Sequence, residues 1–599
     1  MPDNIDYIPA ENTRDLAGLF LERVRRSPER VAYRHFDTAS AQWIDTTWAE
    51  MAGHVARWQA AMRSEGLQAG DRVALMLRNC REWVMFDQAA LGLGLVVVPL
   101  YPNDRAENIA YILNDSDARL FFFEGHEHWE TLRPVHDQLG KLQRIVTIEQ
   151  VDDPSEARLT PIEKWLPEHG TELGRPDTAR DELATIVYTS GTTGKPKGVM
   201  LSHDNILSNA HAGLGNITVY NDDVFLSFLP LSHMLERTAG YYIPILTGAT
   251  VAYARSIPEL AEDLLNIKPT MLISVPRIFE RVYNKVQAGL TEKPPVARKL
   301  FGAAVGIGWQ RFQIRQGKAG WTPAQLLWPL LNALVARKIL DRLGGRLRIA
   351  VSGGAPLPQH VARTFIGLGL NIAQGYGLTE TSPIISANPL ERNDPFSVGE
   401  PLRGLEVRLG ENNELQVRGP SVMLGYWHND EATHDTIDAD GWLHTGDVAR
   451  IVDNHVYITG RLKEVIVLAN GEKVAPADLE MAITNETLFE QVMVLGEGRP
   501  FLSAVVVLNR EHWDVFAGEL GVDADDLATL HDSRVVEAVL GRIATQLREF
   551  PGYAAIYRVL MTLDPWTVEN NLITPTLKLR RKQVTEKYHN EIDTLYAGH

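Results

Sequence analysis

Three glycines, four hydroxyl side chains besides a tyrosine, and two lysines crowd into twelve residues of this chain, YTSGTTGKPKGV, Tyr188 to Val199. Glycines let backbone amides converge on an anion, short hydroxyls donate to its oxygens, and lysines add longer-range positive charge. The stretch suits a polyphosphate, with Thr189, Ser190, Gly191, Thr192, Thr193, Gly194, Lys195 and Lys197 as the candidate donors. It is not a Walker loop, because Gly191 is followed by Thr-Thr-Gly-Lys and then Pro196. A solvated surface loop is the alternative. The apolar run Ala184 to Val187 just before it, read as a buried strand, argues against that.

Other residues could do chemistry, each with a plainer reading beside it. Glu380 closes YGLTE, where a carboxylate suits a hard cation such as Mg2+, or simply starts a helix. Gly353, Gly354 and Ala355 offer a side-chain-poor wall on which a flat base could lie, with the ring of Tyr376 on its other face. A tight turn and a core tyrosine would look the same. Asp447 follows Gly446 and is either a turn residue or an acceptor for paired hydroxyls. Lys578 stands close to Arg580, Arg581 and Lys582 and is either part of a basic tail or a positioned cation. His233, beside apolar residues, is on its own structural.

In sequence order, YTSGTTGKPKGV is joined by LPLSHMLER, VPRIFERVY, SGGAPLP, QGYGLTETSP, GWLHTGDVARIVD, GRLKEVIVLANGEKVAP and NLITPTLKLRR, spanning residues 188 to 581. This set resembles the adenylate-forming, AMP-binding superfamily. HMLER, VPRIFERVY and TPTLKLRR resemble its long-chain fatty acyl-CoA synthetase branch. The resemblance implies two steps. A fatty acid carboxylate attacks the α-phosphorus of ATP and releases pyrophosphate, and the thiol of CoA then displaces AMP. The first step brings two anions together, so neutralising charge and positioning are the main needs.

The resemblance also implies roles. The loop Thr189 to Lys197 holds the β- and γ-phosphates, and Glu380 with Thr192 holds Mg2+. Gly353, Gly354, Ala355, Gln374, Gly375, Tyr376, Gly377 and Thr379 line the AMP, Thr379 on the α-phosphate. Asp447 takes the ribose hydroxyls and Arg461 reaches ribose and phosphate. Lys578, with Glu380 and Thr192, is catalytic, stabilising charge on the carboxylate oxygen and the α-phosphate. His233 and Tyr241 border the acyl chain, and Gly471, Glu472 and Lys473 border CoA. Lys463 matches a hinge about which a small domain rotates between steps. An acyl-AMP ligase loading a carrier protein, a CoA ligase for another carboxylic acid such as an aryl acid, and a non-catalytic nucleotide-binding scaffold are the alternatives. No carrier domain is visible in the sequence, NGEKVAP favours CoA, and a scaffold would be expected to lack Lys578 or Glu380.

These residues need elements to hold them. At 599 residues the chain is too long for one core. Between about 180 and 380, strands such as TMLISVP alternate with helices such as RIFERVYNKVQ, which implies a largely parallel sheet with ligands at the C-terminal ends of its strands. After residue 400, LEVRLGENNELQVRG and GWLHTGDVARIVDNHVYITG read as hairpins turning at Glu411–Asn413 and Asp453–Asn454. The expected fold is α/β. Residues 1–460 form a large N-terminal domain with mostly parallel sheets and a β subdomain, and 461–599 form a small mobile α+β C-terminal cap domain.

Composition bounds the partners. A 45% hydrophobic and 23% charged chain is ordinary for a soluble globular protein, and a net charge of −17 disfavours nucleic acid. The single cysteine, Cys80, excludes an intrachain disulfide and a multi-cysteine metal site. The N-terminal MPDNIDYIPAENTRD does not fit a secretory signal, and the apolar stretches Ala89–Pro102 and Trp321–Ala336 are short for a bilayer span. A cytoplasmic location is expected. Residues 293–348 stand apart, with eleven lysines and arginines against one acid, Asp341, and with Trp309, Trp321 and Trp328 among them. That segment suits peripheral contact with the anionic inner membrane surface, the phosphates of CoA, or a packed helical pair with a solvated basic face. Oligomeric state and acyl chain length are left open.

Overall fold

The structure is a computed structural model. It describes all residues except 1–3, 171, 175–177, 190–194, 292, 549, 568–569, 575–578 and 598–599. Two compact units emerge. The first comprises Met1–Arg408, Gln416–His444 and Ile451–Tyr457, and the second Leu409–Leu415, Thr445–Arg450 and Ile458–His599.

Two large, mostly parallel sheets build the first unit. One has nine strands, with Val224–Ser227, Met271–Ser274, Ile349–Ser352 and Asn371–Gly377 side by side in parallel. The first three are short apolar runs, largely buried as parallel strands require, and the fourth is buried at Ile372, Ala373 and Gln374. Their register is what matters for a site. Ser274 lies opposite Ser352, and Ser352 opposite Gln374, so the loops carrying Gly353 and Gly375 leave the sheet side by side.

The other sheet has eight strands, with Arg72–Met76 and Val96–Pro99 parallel at its centre. Its strand Leu183–Thr189 pairs antiparallel with Lys197–Ser202, Tyr188 opposite Gly198 and Thr189 opposite Lys197. The glycine-threonine loop therefore joins a hairpin, whereas the reading from sequence placed it in a strand–loop–helix unit. The loop is too short for a parallel crossover, which takes a dozen residues or more. The helix comes one strand later. Ser202 caps His203–Gly213 reciprocally with Asn205 in a capping box. One buried cluster then joins the two sheets, taking Val97 and Val187 from one, Phe225 and Ile273 from the other, and Leu207 from that helix.

A four-stranded sheet runs in the order Glu406–Leu409, Glu414–Arg418, Leu443–Val452, His455–Arg461. Its turns fall at Glu411–Asn413 and at Asp453–Asn454, where both residues of the second turn have positive φ. In the second unit, Phe489–Leu495, Leu502–Leu508 and Ile556–Thr562 form a three-stranded sheet. Every residue of the middle strand is buried, because the sheet is covered on both faces. Trp513, Val535 and Ile543 lie in one core cluster and Trp566, Tyr588 and Ile592 in another. The α/β class and the separate, smaller C-terminal domain agree with the expectation from sequence. Cys80 is partly buried just before the helix Arg81–Leu91.

Candidate active site

The hairpin fixes where the loop's flanking lysines go. Residues 190–194, with Ser190, Gly191, Thr192, Thr193 and Gly194, lie outside the described residues. Thr189 ends the first strand. Lys195 holds its ammonium 5.1 Å from the ring centre of Tyr111, and Lys197 holds its own 5.0 Å from that of Tyr426, both within cation–π range. Tyr426 arrives on the two-residue strand Gly425–Tyr426, paired antiparallel to the hairpin opposite Val199. Its hydroxyl donates to Glu380 Oε1 at 2.9 Å. Burial, and then the charge of Glu380, push that phenol well above its ordinary range, so it stays a donor. Loop cation, phenol and carboxylate thus form one connected row.

Glu380 is held by its own backbone as well. Its carbonyl accepts from Met423 N at 2.9 Å, inside a segment that Asn205 grips through the carbonyls of Pro420 and Val422. The capped helix after the hairpin therefore positions the carboxylate through two further segments. Thr379 opens the short turn Thr379–Thr381 that carries Glu380.

The two glycine loops meet as the register requires. A side chain added at Gly353 would sit 3.2 Å from Leu235 and 3.7 Å from the carbonyl oxygen of Gly375. The wall Gly353–Ala355, the strand end Gln374–Gly377 and the LPLSHMLER segment are thereby brought together. At Gly377 an added Cβ would lie 1.8 Å from the carbonyl oxygen of Pro383, so only glycine fits. Gly354 and Ala355 are exposed, and Tyr376 is half-buried. The Gln374 side chain is committed elsewhere. Its amide accepts from Leu357 N at 3.0 Å and donates to the carbonyl of Pro395, which closes the wall loop onto its neighbouring strand.

His233 sits at the turn before the next helical segment, with Nδ1 accepting from Leu235 N at 3.2 Å. That turn is fastened from the other sheet. Asn79 bonds Ser227 Oγ, the carbonyl of Leu229 and the amide of Leu231, and Ser232 Oγ donates to the carbonyl of Leu100.

After the turn, Glu236–Tyr242 forms a π-helix, a geometry often found at functional sites. Arg237 and Asp87 form a fully buried ion pair in which Arg237 Nη1 also donates to Thr185 Oγ1 at 2.8 Å. Asp87 Oδ2 accepts the hydroxyls of Tyr241 at 2.9 Å and Tyr242 at 3.0 Å. Tyr241, expected to border an acyl chain, is thus fully buried and spends its hydroxyl on this clamp.

Glu236 has no such partner to keep it charged. It is buried, its Oε2 meets no hydrogen-bond donor among the described residues, and burial pushes its carboxyl up to about 8 against a bond from Ser227. Folded, it stays neutral where the unfolded chain ionises. Its contribution to stability is therefore lost as pH rises from about 4.5 to about 8, and is constant outside that window. Glu236→Gln removes the titration. Relative to wild type the variant gains stability across that window, by at most about 4 kcal/mol, as read by urea unfolding at pH 5 and pH 8.5. A gap between the two proteins that does not change with pH rejects the neutral carboxyl.

The second unit gathers its own expected residues. Asp447 is buried and pairs with Arg461, Nε to Oδ1 at 3.1 Å, the chain having turned back at Asp453–Asn454. Gly446 N bonds Glu414 Oε1, and Asp447 N bonds Thr445 Oγ1, which orients the carboxylate. Lys463 lies in the turn Leu462–Glu464. Gly471 makes the turn between Ile466–Val467 and Lys473–Val474, with Glu472 and Lys473 exposed. Lys578 lies outside the described residues. Its flanks are anchored, because Ile573 bridges Leu579, Arg580 bonds Asn571, and Arg581 grips Glu480 with two bonds at 2.6 and 2.7 Å. Tyr426, Asn79 and Asp87 are the positioning residues that sequence reasoning missed.

Two sheets whose loops converge on a basic hairpin, a tethered carboxylate and a glycine wall, with a separate small α+β unit, describe a nucleotide-activating ligase. The chain matches the AMP-binding enzyme family over residues 20–427 and the AMP-binding enzyme C-terminal domain over 463–599. It belongs to that family and is an adenylate-forming ligase. It is 32% identical to the long-chain-fatty-acid–CoA ligase FadD15 of Mycobacterium bovis, over 97% of each chain. It is 27% identical to the chloroplastic long-chain-fatty-acid–[acyl-carrier-protein] ligase AEE15 of Arabidopsis thaliana, over 92% of this chain and 83% of that one. It shares its fold with the anthranilate CoA ligase AuaEII, at a TM-score of 0.74 and 19% identity, over 98% of this chain and 99% of that one.

Proposed function

We propose that this protein activates a long-chain fatty acid with ATP and transfers the acyl group to CoA. The row from Lys197 through Tyr426 to Glu380, beside the glycine wall and the His233 turn, carries the reading. It supplies positive charge and a carboxylate next to a surface suited to a flat base. The acyl class is supported by both relatives, and CoA is favoured by the higher identity to FadD15, 32% against 27% to the carrier-protein ligase AEE15.

A carboxylate oxygen attacks the α-phosphorus, the α–β phosphoanhydride bond breaks, and pyrophosphate leaves with the electron pair. Thr189, Ser190, Gly191, Thr193, Gly194, Lys195 and Lys197 hold the departing phosphates, and Thr379 holds the α-phosphate. Mg2+ is ordinarily held by one or two carboxylates and substrate phosphates, so the tethered Glu380 carboxylate fits it, with Thr192, which lies outside the described residues, as the second expected ligand. Bound there, the ion would neutralise phosphate charge. Asp447 and Arg461 take the ribose, and Lys578 stabilises charge at the reacting oxygens. The CoA thiolate then attacks the acyl carbon and AMP leaves, with Gly471, Glu472 and Lys473 lining its approach and Lys463 as the hinge.

Exchange of labelled pyrophosphate into ATP, scored over fatty acids of rising length and over aryl acids, tests the first step. AMP release with CoA or with an acyl carrier protein tests the second. The reading expects long fatty acids and CoA to win. It fails if no acid supports exchange, or if only the carrier protein releases AMP. Tyr426→Phe, which removes the bond to Glu380, is expected to slow exchange about tenfold, the worth of one hydrogen bond to a charged group. An unchanged rate removes Tyr426 from the site.

A further inference from the structure

We propose that the helical hairpin between residues 295 and 343 is a docking surface for an anionic lipid bilayer. Helix Pro295–Arg315 is followed by a nearly continuous helical run through Pro323–Leu327, Trp328–Leu331, Asn332–Ala336 and Arg337–Leu340. The inner side of that run is a core face. Leu331 and Ala336 are buried, and Trp328 packs on the cluster of Phe301, Ala336 and Leu368. The outer side is the reverse of what a solvated face should be. Leu326, Leu327, Leu330 and Leu334 recur at helical spacing and, with Trp321 just before them, are 46–74% exposed. Val296 and Leu300, four apart on the first helix, add to them. Among the described residues, nineteen large apolar side chains are exposed, and seven of these fall between 296 and 334. Such clustering marks an interaction surface, whereas scattered single residues would not.

Charge selects the partner. Arg337 and Lys338 follow Leu334 by three and four residues and continue its stripe. Arg298, Lys299, Arg311 and Arg315 are exposed as well. None of these six has an ion-pair partner among the described residues, whereas Lys318 pairs with Asp394 and Arg348 with Asp223. Apolar side chains with tryptophan, rimmed by free cations on a helix parallel to the surface, match the headgroup boundary of an anionic membrane. A second copy of the same face would set cation against cation. No helix among the described residues is long and apolar enough to cross a membrane, so the contact is peripheral.

Flotation of the full chain with phosphatidylcholine vesicles, with and without phosphatidylglycerol, tests this. Binding is expected at least about tenfold stronger with the anionic lipid, and weaker as salt shortens the screening length. Leu327→Glu/Leu330→Glu should abolish flotation, and Arg337→Glu/Lys338→Glu should reduce it about tenfold or more. All four positions are exposed, so both variants should keep the wild-type melting curve and pyrophosphate exchange. Wild type that fails to float, that floats equally on neutral vesicles, or that is unaffected by both variants overturns the proposal. So does a dimer that Leu330→Glu splits without any vesicle binding. Acid specificity is read in a separate assay, so failure of the functional reading would show independently.

Discussion

Lys578→Ala is expected to slow acyl-adenylate formation about 10²–10³-fold and to leave thioester formation from supplied acyl-AMP within a few-fold of wild type. The asymmetry follows from charge. In the first half-reaction a carboxylate approaches a triphosphate, and a cation placed where negative charge grows lowers that barrier most. In the second, an anhydride already exists and AMP departs. The neighbouring cations supply the control. Arg580 and Arg581 are engaged with Asn571 and Glu480, so their loss should lower stability and leave the ratio of half-reactions unchanged. Pyrophosphate exchange and thioester assays on the same preparations separate the cases. Equal loss in both half-reactions would move Lys578 out of the role proposed for it.

Asp87→Ala should cost about 5 kcal/mol or more in unfolding free energy, the largest single-residue effect expected outside the chemistry itself. Removing the carboxylate leaves the buried Arg237 charge uncompensated, and strands two tyrosine hydroxyls. Burial alone would pull the guanidinium of Arg237 down, and the charge of Asp87, the two tyrosines and the hydrogen bond to Asp87 together more than reverse that. Asp87→Asn, which keeps the shape, should recover little. Replacing both partners, Asp87→Leu with Arg237→Met, should recover the part of the loss that comes from the uncompensated charge, while the two tyrosine hydroxyls still lack their acceptor. Urea unfolding of the single and double variants decides. A loss under about 1 kcal/mol for Asp87→Ala would mean that the pair is not buried as described.

What could be seen in advance follows from sequence distance. Met271–Ser274 and Ile349–Ser352 announce themselves as short apolar runs ending in loops, so the parallel sheet and the meeting of its glycine loops were readable. Asp447 and Arg461 are fourteen residues apart across a two-residue turn, and hairpin arithmetic brings them together. The partners of Glu380 and Arg237 were not readable. Tyr426 lies 46 residues from Glu380, and Asp87 lies 150 from Arg237. No local periodicity encodes such pairings. The π-helix at Glu236–Tyr242 also escaped notice, since its side chains look like those of any amphipathic turn. The glycine-threonine loop shows the opposite case. Its composition pointed to phosphate chemistry but not to its place in the fold, where only its length told hairpin from crossover.

The hairpin at 295–343 also divides the molecule electrically. Residues 293–348 carry a formal +10, from eleven cations and one acid, so the other residues of this −17 protein hold −27. Near any negatively charged plane such a body behaves like a weighted float. The basic hairpin is drawn in while the acidic residues elsewhere in the chain are pushed away, so the field acts on the particle before any side chain touches. Encounters would then be sorted by orientation at long range, and raising ionic strength would randomise the angle of approach before it abolished adhesion.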